Sequence, residues 1–325
     1  MKKNLTDIIA PVKEEMDELK VLIDTCLPTN NILLRQVIDH VFYKHGKMMR
    51  PLLVLLTAKY FGRITSSALH VAASLELLHT ASLVHDDVVD ESDERRGQPS
   101  VNAAFSNKIA VLSGDFFLAN AVYQVYQTND LRLVEIVSNL GKKLAEGELL
   151  QLYNIAHNAL SYDVYFDIIR DKTATLFSSC TKAGAISAGA SAECIQKATM
   201  FGEYIGLCFQ IKDDIFDYSD NSEVGKPTGN DMKEGKLTLP VLYALNTTQD
   251  KVALELATKV RNLVATDVEI TQLIEFTKQH GGIDYAYKTI DEIKEKASAF
   301  LADAPDSEVK LALSAYLDYV VDRNH

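Results

Sequence analysis

Apolar residues along this 325-residue chain recur at spacings of three and four almost throughout, and strictly alternating segments are absent. That period predicts helices. Runs without proline cover 107–128, 129–158, 161–190 and 193–219. Proline inside a helix removes a hydrogen bond and clashes with the preceding turn, so these runs are expected as long helices. Ile109, Leu112, Phe116, Leu118 and Val122 mark one stripe, and Leu133, Val137, Leu140, Leu144 and Leu149 the next. Thr65 and Ser66 stand where a side-chain oxygen can cap a helix running through Leu77 to Asp90. Gly281-Gly282 breaks the more polar region 250–325, and a final helix is expected from Ser307 to Tyr319. Pro51, Pro99, Pro227, Pro240 and Pro305 fall where the period starts or stops. The chief irregular stretch is Ser219–Leu237, and loops of that length within compact domains are often functional. No Ser/Pro-rich linker and no composition step divides the chain, so the expectation is one all-α domain over 1–325.

Two of the predicted helices run into the same acidic pentapeptide: Asp86-Asp87-Val88-Val89-Asp90 after Leu75–Val84, and Asp213-Asp214-Ile215-Phe216-Asp217 after Tyr204–Ile211. On a helix, residues four apart share a face, so the outer aspartates of each copy lie side by side. Crowded carboxylates repel, by more when partly buried, and a cation relieves them. Oxygen-only donors favour a hard ion, and Mg²⁺ takes one or two carboxylates plus phosphate oxygens. One such cluster is usually a solvated helix end. Here each copy is followed by a Gly/Pro turn with cations: Arg95-Arg96-Gly97-Gln98-Pro99 after the first, Gly225-Lys226-Pro227-Thr228-Gly229 after the second. Carboxylates for metal beside cations for an anion describe a diphosphate site.

Bulk properties narrow the partners. The net charge is −12, which argues against nucleic acid and against an anionic membrane surface. An anionic substrate must then be captured by locally placed cations and metal. Cys26, Cys180, Cys194 and Cys208 are scattered without a CxxC pair and read as buried thiols of a reducing cytosol. No continuous apolar stretch follows Met1-Lys2-Lys3-Asn4, so no signal peptide is expected. Ile109–Tyr123 is interrupted by Asp115 and too short to span a bilayer. The expectation is a cytoplasmic protein without stable membrane insertion.

Further stretches accompany the pentapeptides: Gly46-Lys47-Met48-Met49-Arg50-Pro51, Leu77 to His85, Arg95-Arg96-Gly97, Lys172-Thr173-Ala174, Phe209-Gln210-Ile211-Lys212, and Gly225 to Asp231 followed by Glu234-Gly235-Lys236. In these motifs and their order, over most of its length, the chain resembles the trans-isoprenyl diphosphate synthases (polyprenyl synthetases), long-chain type. The resemblance implies a single large helical bundle of the isoprenoid synthase type with a central substrate cavity, and a homodimer. It implies head-to-tail condensation of isopentenyl diphosphate onto an allylic diphosphate such as farnesyl or geranylgeranyl diphosphate. About three Mg²⁺ ions would hold the allylic diphosphate. Asp86, Asp90 and Asp213 are then the nearest ligands, with Asp87, Asp214 and Asp217 orienting metal-bound waters. Arg95, Lys172, Lys226 and Lys236 are implied on that diphosphate; Lys47, Arg50, His79 and Arg96 on isopentenyl diphosphate. Thr173 and Gln210 would offer oxygen dipoles to an allylic carbocation. Met48 departs from the family, which commonly has a basic residue there.

Ala81 stands five positions before Asp86, between Thr80 and Ser82, where short-chain members carry a large aromatic. The small residue leaves the product tunnel open, with its floor deeper, at Leu77, Leu78 or Phe117. The expected product exceeds twenty carbons and suits a quinone side chain. The alternatives are a short-chain farnesyl or geranylgeranyl diphosphate synthase and the catalytic subunit of a heteromeric synthase. A different class is raised by Glu76-Leu77-Leu78-His79, an ExxH pair of the kind di-iron bundles use; such sites need two copies, and a second is missing.

Overall fold

The computed structural model describes residues 4–43, 46–157, 160–218, 229–302 and 305–323. In chain order these form α1 Leu5–Ile9, α2 Lys13–Thr25, α3 Ile32–Phe42, α4 Met49–Phe61, α5 Ser66–Val89, α6 Val101–Ala104, α7 Asn107–Tyr126, α8 Leu131–His157 and α9 Tyr162–Ile169. There follow α10 Thr175–Ser187, α11 Ala192–Phe216, α12 Asn230–Lys233, α13 Leu239–Thr248, α14 Lys251–Arg261, α15 Asp267–Gln279, α16 Gly282–Ala302 and α17 Glu308–Asp322. Among the described residues the β-structure is one short antiparallel pair, β1 Glu94–Arg95 with β2 Gln98–Pro99. The protein is all-α, as the three-and-four spacing requires.

The chain forms two compact units. Unit 1 comprises Met1–Gly141, Leu176–Thr199 and Pro305–Leu313; unit 2 comprises Lys142–Thr175, Met200–Ala304 and Ser314–His325.

Unit 1 is organised by α5 and α7. The Thr65 side chain caps α5, accepting from Ala68 N at 3.3 Å. Ser74 Oγ donates to Ala121 O at 2.7 Å, His70 Nδ1 meets Gln124 Oε1 at 2.8 Å, and His85 Nε2 meets Val111 O at 3.2 Å. As residue numbers rise on one helix they fall on the other, so the pair is antiparallel. Small residues at the contact, Gly114 and Ala121, let the backbones approach. By length and composition α5 could cross a bilayer, but Leu75, Leu77 and Val71 are wholly buried in this unit. Its apolar surface is spent on the core.

Unit 2 has its own core, in which Tyr218, Met232, Val241, Leu245, Val260, Leu273 and Ile274 pack together. Tyr243 stacks on Tyr285 with centroids 4.1 Å apart, and Phe201 on Phe300 at 4.7 Å.

The expected long helix over 161–190 is interrupted. Between α9 and α10, Arg170–Ala174 form one π-helical turn. An extra residue in a helix frees a carbonyl, and here the Thr175 hydroxyl donates to Arg170 O at 2.8 Å. Gly147 admits this widened turn: a Cβ there would lie 2.8 Å from the Lys172 amide nitrogen. Periodicity cannot register one inserted residue. Of the expected irregular stretch Ser219–Leu237, residues 219–228 lie outside the described residues, and the rest includes α12.

Close helix packing in unit 1 gives a stability test. A Cβ on Gly184 of α10 would stand 2.5 Å from Val54 O and 2.9 Å from Thr57 Cβ of α4. Neither neighbour is a flexible side-chain end. Gly184→Ala should therefore cost about 1–3 kcal/mol, read as a lower urea midpoint, despite alanine's better helix propensity.

Candidate functional site

Both acidic clusters occupy helix C-termini. Asp86 and Asp87 lie in the last turn of α5, with Asp90 as its C-cap; Asp213 and Asp214 lie in the last turn of α11, with Asp217 just beyond. A helix C-terminus carries partial negative charge, so carboxylates there are doubly disfavoured. The local structure compensates them one by one.

In unit 1, Asp87 is buried and accepts from Arg95 Nε at 2.8 Å and, more closely, from Arg95 Nη2. Burial raises its pKa, with Asp90 adding repulsion and Arg95 opposing both. Arg95 is aimed by the β1–β2 hairpin, whose two turn residues, Arg96 and Gly97, have φ of 56° and 71°. Two positive-φ residues in a two-residue loop give the primed twist that a tight hairpin needs. The hairpin is tied to α3: Gln98 Nε2 donates to His40 O at 3.2 Å, and His40 Nε2 meets Pro99 O at 2.8 Å.

Three of the residues expected on isopentenyl diphosphate, Arg50, His79 and Arg96, lie near Arg95. The Arg50 guanidinium stands over the Phe177 ring, 5.3 Å from its centroid. His79 is buried, and burial followed by Arg50, Arg96 and Arg95 pushes its pKa well down, so it is neutral. A cavity of about 60 Å³ is lined by Gly46, Glu76, Thr80, Asp87, Arg95 and Arg96, among others. Lys47 is exposed, immediately ahead of α4. Met48 is buried at the start of α4 with φ 47°, so this position suits an apolar side chain rather than a cation.

In unit 2, Asp213 is exposed and pairs with Arg323 Nη2 at 3.2 Å. The same guanidinium covers the Phe209 ring at 3.8 Å. Asp214 is 3% exposed; Tyr165 Oη donates to its Oδ2 at 2.5 Å and Gln210 Nε2 to its Oδ1 at 2.8 Å. Burial still raises its pKa to about 7. Asp217 accepts the amides of Asn230 at 2.8 Å and Asp231 at 3.2 Å. Burial outweighs those bonds and raises its pKa.

Lys172, presented on the π turn, pairs with Glu148 Oε2 at 2.5 Å. Thr173 Oγ1 donates to Gln210 Oε1 at 2.8 Å, which extends one chain of hydrogen bonds to Asp214 and Tyr165. Lys236 pairs with Glu234. Lys172, Thr173, Gln210, Asp213, Asp214 and Lys236 line one cavity of about 240 Å³. Six residues picked from separate motifs thus meet at one place. Lys226 lies outside the described residues.

Residue spacing did not reveal Tyr165, Arg323 or Asp231 as part of this environment. Asp231 lines the same cavity, and burial raises its pKa well above normal, with Asp214 and Asp217 adding to it. Its place after Gly229-Asn230 was the available signal; for Tyr165 and Arg323, far off in sequence, there was none.

Among the described residues, no three His, Cys, Asp or Glu side chains converge closely enough to chelate a metal ion. Asp87, Asp213, Asp214 and Asp217 are instead turned toward Arg95, Arg323, Tyr165 and backbone amides. The donor set nevertheless fits a hard divalent cation, because it offers only oxygen. Four of the acids, Asp87, Asp214, Asp217 and Asp231, have pKa values raised chiefly by burial, which their partners offset only in part.

Acidic clusters at two helix ends, neighbouring cations and polar cavities suit metal-assisted diphosphate chemistry. The polyprenyl synthetase family signature matches residues 31–275, and the chain belongs to this family. It is a trans-prenyl diphosphate synthase, a prenyltransferase with the all-α bundle of isoprenoid synthases; the family's members typically depend on Mg²⁺. It is 52% identical to geranylgeranyl pyrophosphate synthase from Bacteroides thetaiotaomicron, whose crystal structure matches with a TM-score of 0.87 over 98% of this chain and 99% of that one. It is 37% identical to the all-trans-nonaprenyl-diphosphate synthase (geranyl-diphosphate specific) of Rhodobacter capsulatus, over 98% of this chain and 97% of the relative. It is 38% identical to octaprenyl diphosphate synthase of Haemophilus influenzae, over 90% and 89%. The family therefore spans short and long products.

The raised pKa of Asp214 has a definite sign. A carboxyl with a folded pKa near 7 and an ordinary unfolded one destabilises the fold where it is ionised, above pH 7, and the penalty fades as pH falls through 7. In EDTA, Asp214→Asn should raise the thermal midpoint at pH 8 more than at pH 6. Equal shifts at both pH values would show that Asp214 does not carry this charge penalty.

Proposed function

We propose that this enzyme extends an allylic diphosphate with isopentenyl diphosphate and releases a product of about twenty carbons. The proposal supports itself first on Phe117. In the antiparallel α5–α7 pair, the bonds at Ser74–Ala121 and His85–Val111 bring Phe117 level with Leu78, one turn beyond Ala81 as seen from Asp86. Phe117 is fully buried and meets the Phe42 ring edge-on at 5.8 Å. A growing chain that passes Ala81 would meet this aromatic pair one helical turn deeper. A turn rises about 5.4 Å, close to the length of one extended isoprene unit. An aromatic at position 81 would thus stop growth near fifteen carbons and Phe117 near twenty. The name of the 52%-identical relative agrees.

A second reading, a longer product for a quinone side chain, is favoured by the small residue Ala81 and by the names of the two other relatives. Product chromatography separates the two. The wild type should give mainly twenty carbons, Ala81→Phe about fifteen, and Phe117→Ala longer chains, each at comparable first-condensation rates. Wild-type products of thirty carbons or more would sink the Phe117 stop and leave the long-chain reading.

In this reading Asp86, Asp90 and Asp213 take the Mg²⁺ ions, and Asp87, Asp214 and Asp217 support the shell. Bound Mg²⁺ supplies charge neutralisation for the departing diphosphate. Lys172, Lys236 and Arg95 bind that diphosphate, with Lys226 beside it. Lys47, Arg50, His79 and Arg96 hold isopentenyl diphosphate, whose diphosphate stays in place. Thr173 and Gln210 present oxygen dipoles rather than a nucleophile, as a reactive allylic cation requires. Lys172→Ala should accordingly lower kcat by at least about a hundredfold, because its contact strengthens as charge develops. An effect confined to KM would remove Lys172 from the leaving group. We place the enzyme in the cytoplasm as a homodimer; the exposed apolar stripe Leu112, Val122 and Tyr126 on α7 suits a second copy.

A further inference from the structure

Tyr165 and Thr173 are eight residues apart, and on an unbroken α-helix eight residues bring the chain about 80° away from its starting face. The π turn Arg170–Ala174 lies between them. Its one extra residue leaves the rotation of only seven, about 20° off, so both side chains return to one face. That face meets α11, on which Gln210 and Asp214 stand one turn apart.

Across this contact Tyr165 Oη donates to Asp214 Oδ2 at 2.5 Å, Gln210 Nε2 to Asp214 Oδ1 at 2.8 Å, and Thr173 Oγ1 to Gln210 Oε1 at 2.8 Å. The direction of each bond has a chemical cause. A carboxylate only accepts, so Gln210 turns its NH₂ end to Asp214 and its carbonyl end to Thr173. That carbonyl also only accepts, so the Thr173 proton is committed to it. Thr173 keeps the lone-pair side of its oxygen for the cavity that it lines. Tyr165 anchors the series: it is 6% exposed, and its ring stands edge-on to Phe166, with centroids 5.3 Å apart. With Oδ2 engaged by the phenol and Oδ1 by the amide, the carboxylate is held in one orientation.

We propose that Tyr165 is a positioning residue: through Asp214 and Gln210 it keeps the Thr173 oxygen turned lone pairs outward, toward the positive charge that develops on the allylic carbon. This rests on the assignment of Thr173 and Gln210 as dipoles facing that cation. A hydroxyl turned the other way would present its proton to the cation and oppose ionisation. Dipoles that are oriented beforehand need no reorganisation during the reaction, so a phenol that touches no reacting atom still bears on its rate. The π turn belongs to the same device, because without its extra residue Thr173 would leave the face that Gln210 meets.

A double-mutant cycle of Tyr165→Phe and Thr173→Val tests it, with the folding of each variant checked by circular dichroism. Tyr165→Phe keeps the ring and removes the donor. It should lower kcat about tenfold, while KM for either substrate and the Mg²⁺ concentration at half-maximal rate change less than about twofold. In the Thr173→Val background the same change should lower kcat by less than about twofold, because the group through which it acts is gone. In a Thr173→Ser background, which keeps the hydroxyl, the loss should return to about tenfold. Equal losses in all backgrounds are those of a structural residue and overturn the proposal. A several-fold rise in the Mg²⁺ requirement also overturns it, since Tyr165 would then act on the metal ligands. If Thr173→Val lowers kcat and Tyr165→Phe does not, the inference fails alone. If Thr173→Val leaves kcat unchanged, the dipole assignment fails and the inference with it.

Discussion

Carboxylates packed at the negative end of a helix are the constraint on which the rest depends. Each cluster sits where the macrodipole and its own neighbours oppose ionisation, and partial burial adds desolvation. Asp87 is matched by a guanidinium and Asp213 by another, Asp214 by a phenol and an amide, Asp217 by backbone N–H groups. Those matches are incomplete, since burial still raises Asp87, Asp214 and Asp217. A fold that keeps such groups holds sites that a divalent cation would stabilise, and the same cation would bring an anionic substrate with it.

The secondary structure around the acids serves that end. A two-residue hairpin with both turn residues at positive φ points Arg95 at Asp87, and a single π turn presents Lys172 and Thr173 into the polar cavity of unit 2. Both are local departures from regular helix, and both carry the side chains that contact the acids or line that cavity. Strain at such places is maintained by neighbours: His40 and Gln98 brace the hairpin, while Gly147 and Thr175 accommodate the π turn.

In the proposed function, helix packing would bear on product size by the same logic. Small residues bring α5 and α7 close, and the register of that contact sets which residue lies below Ala81. Under the proposed twenty-carbon product, Ala81 would leave the passage open and Phe117, one turn further, would end it. The two readings differ because one considers a helix and the other a pair.

The sequence by itself determined the all-α class and three of the four long proline-free helices, and it marked the candidate diphosphate residues by type. Those depend on local quantities: apolar spacing, proline placement, repeated motifs. Six motif residues found in one cavity, Lys172, Thr173, Gln210, Asp213, Asp214 and Lys236, were all legible as a set of chemical types before their proximity was known. Tertiary structure alone decided the contacts between distant positions. It brought Tyr165 to Asp214 and Arg323 to Asp213, and it put Phe117 level with Leu78. It also inserted the π turn into 161–190, where one extra residue leaves the hydrophobic period almost unchanged. Partners separated by 49 or 110 residues leave no mark on local spacing. Whether a buried charge is satisfied depends on such partners, so it is decided only when the chain has folded.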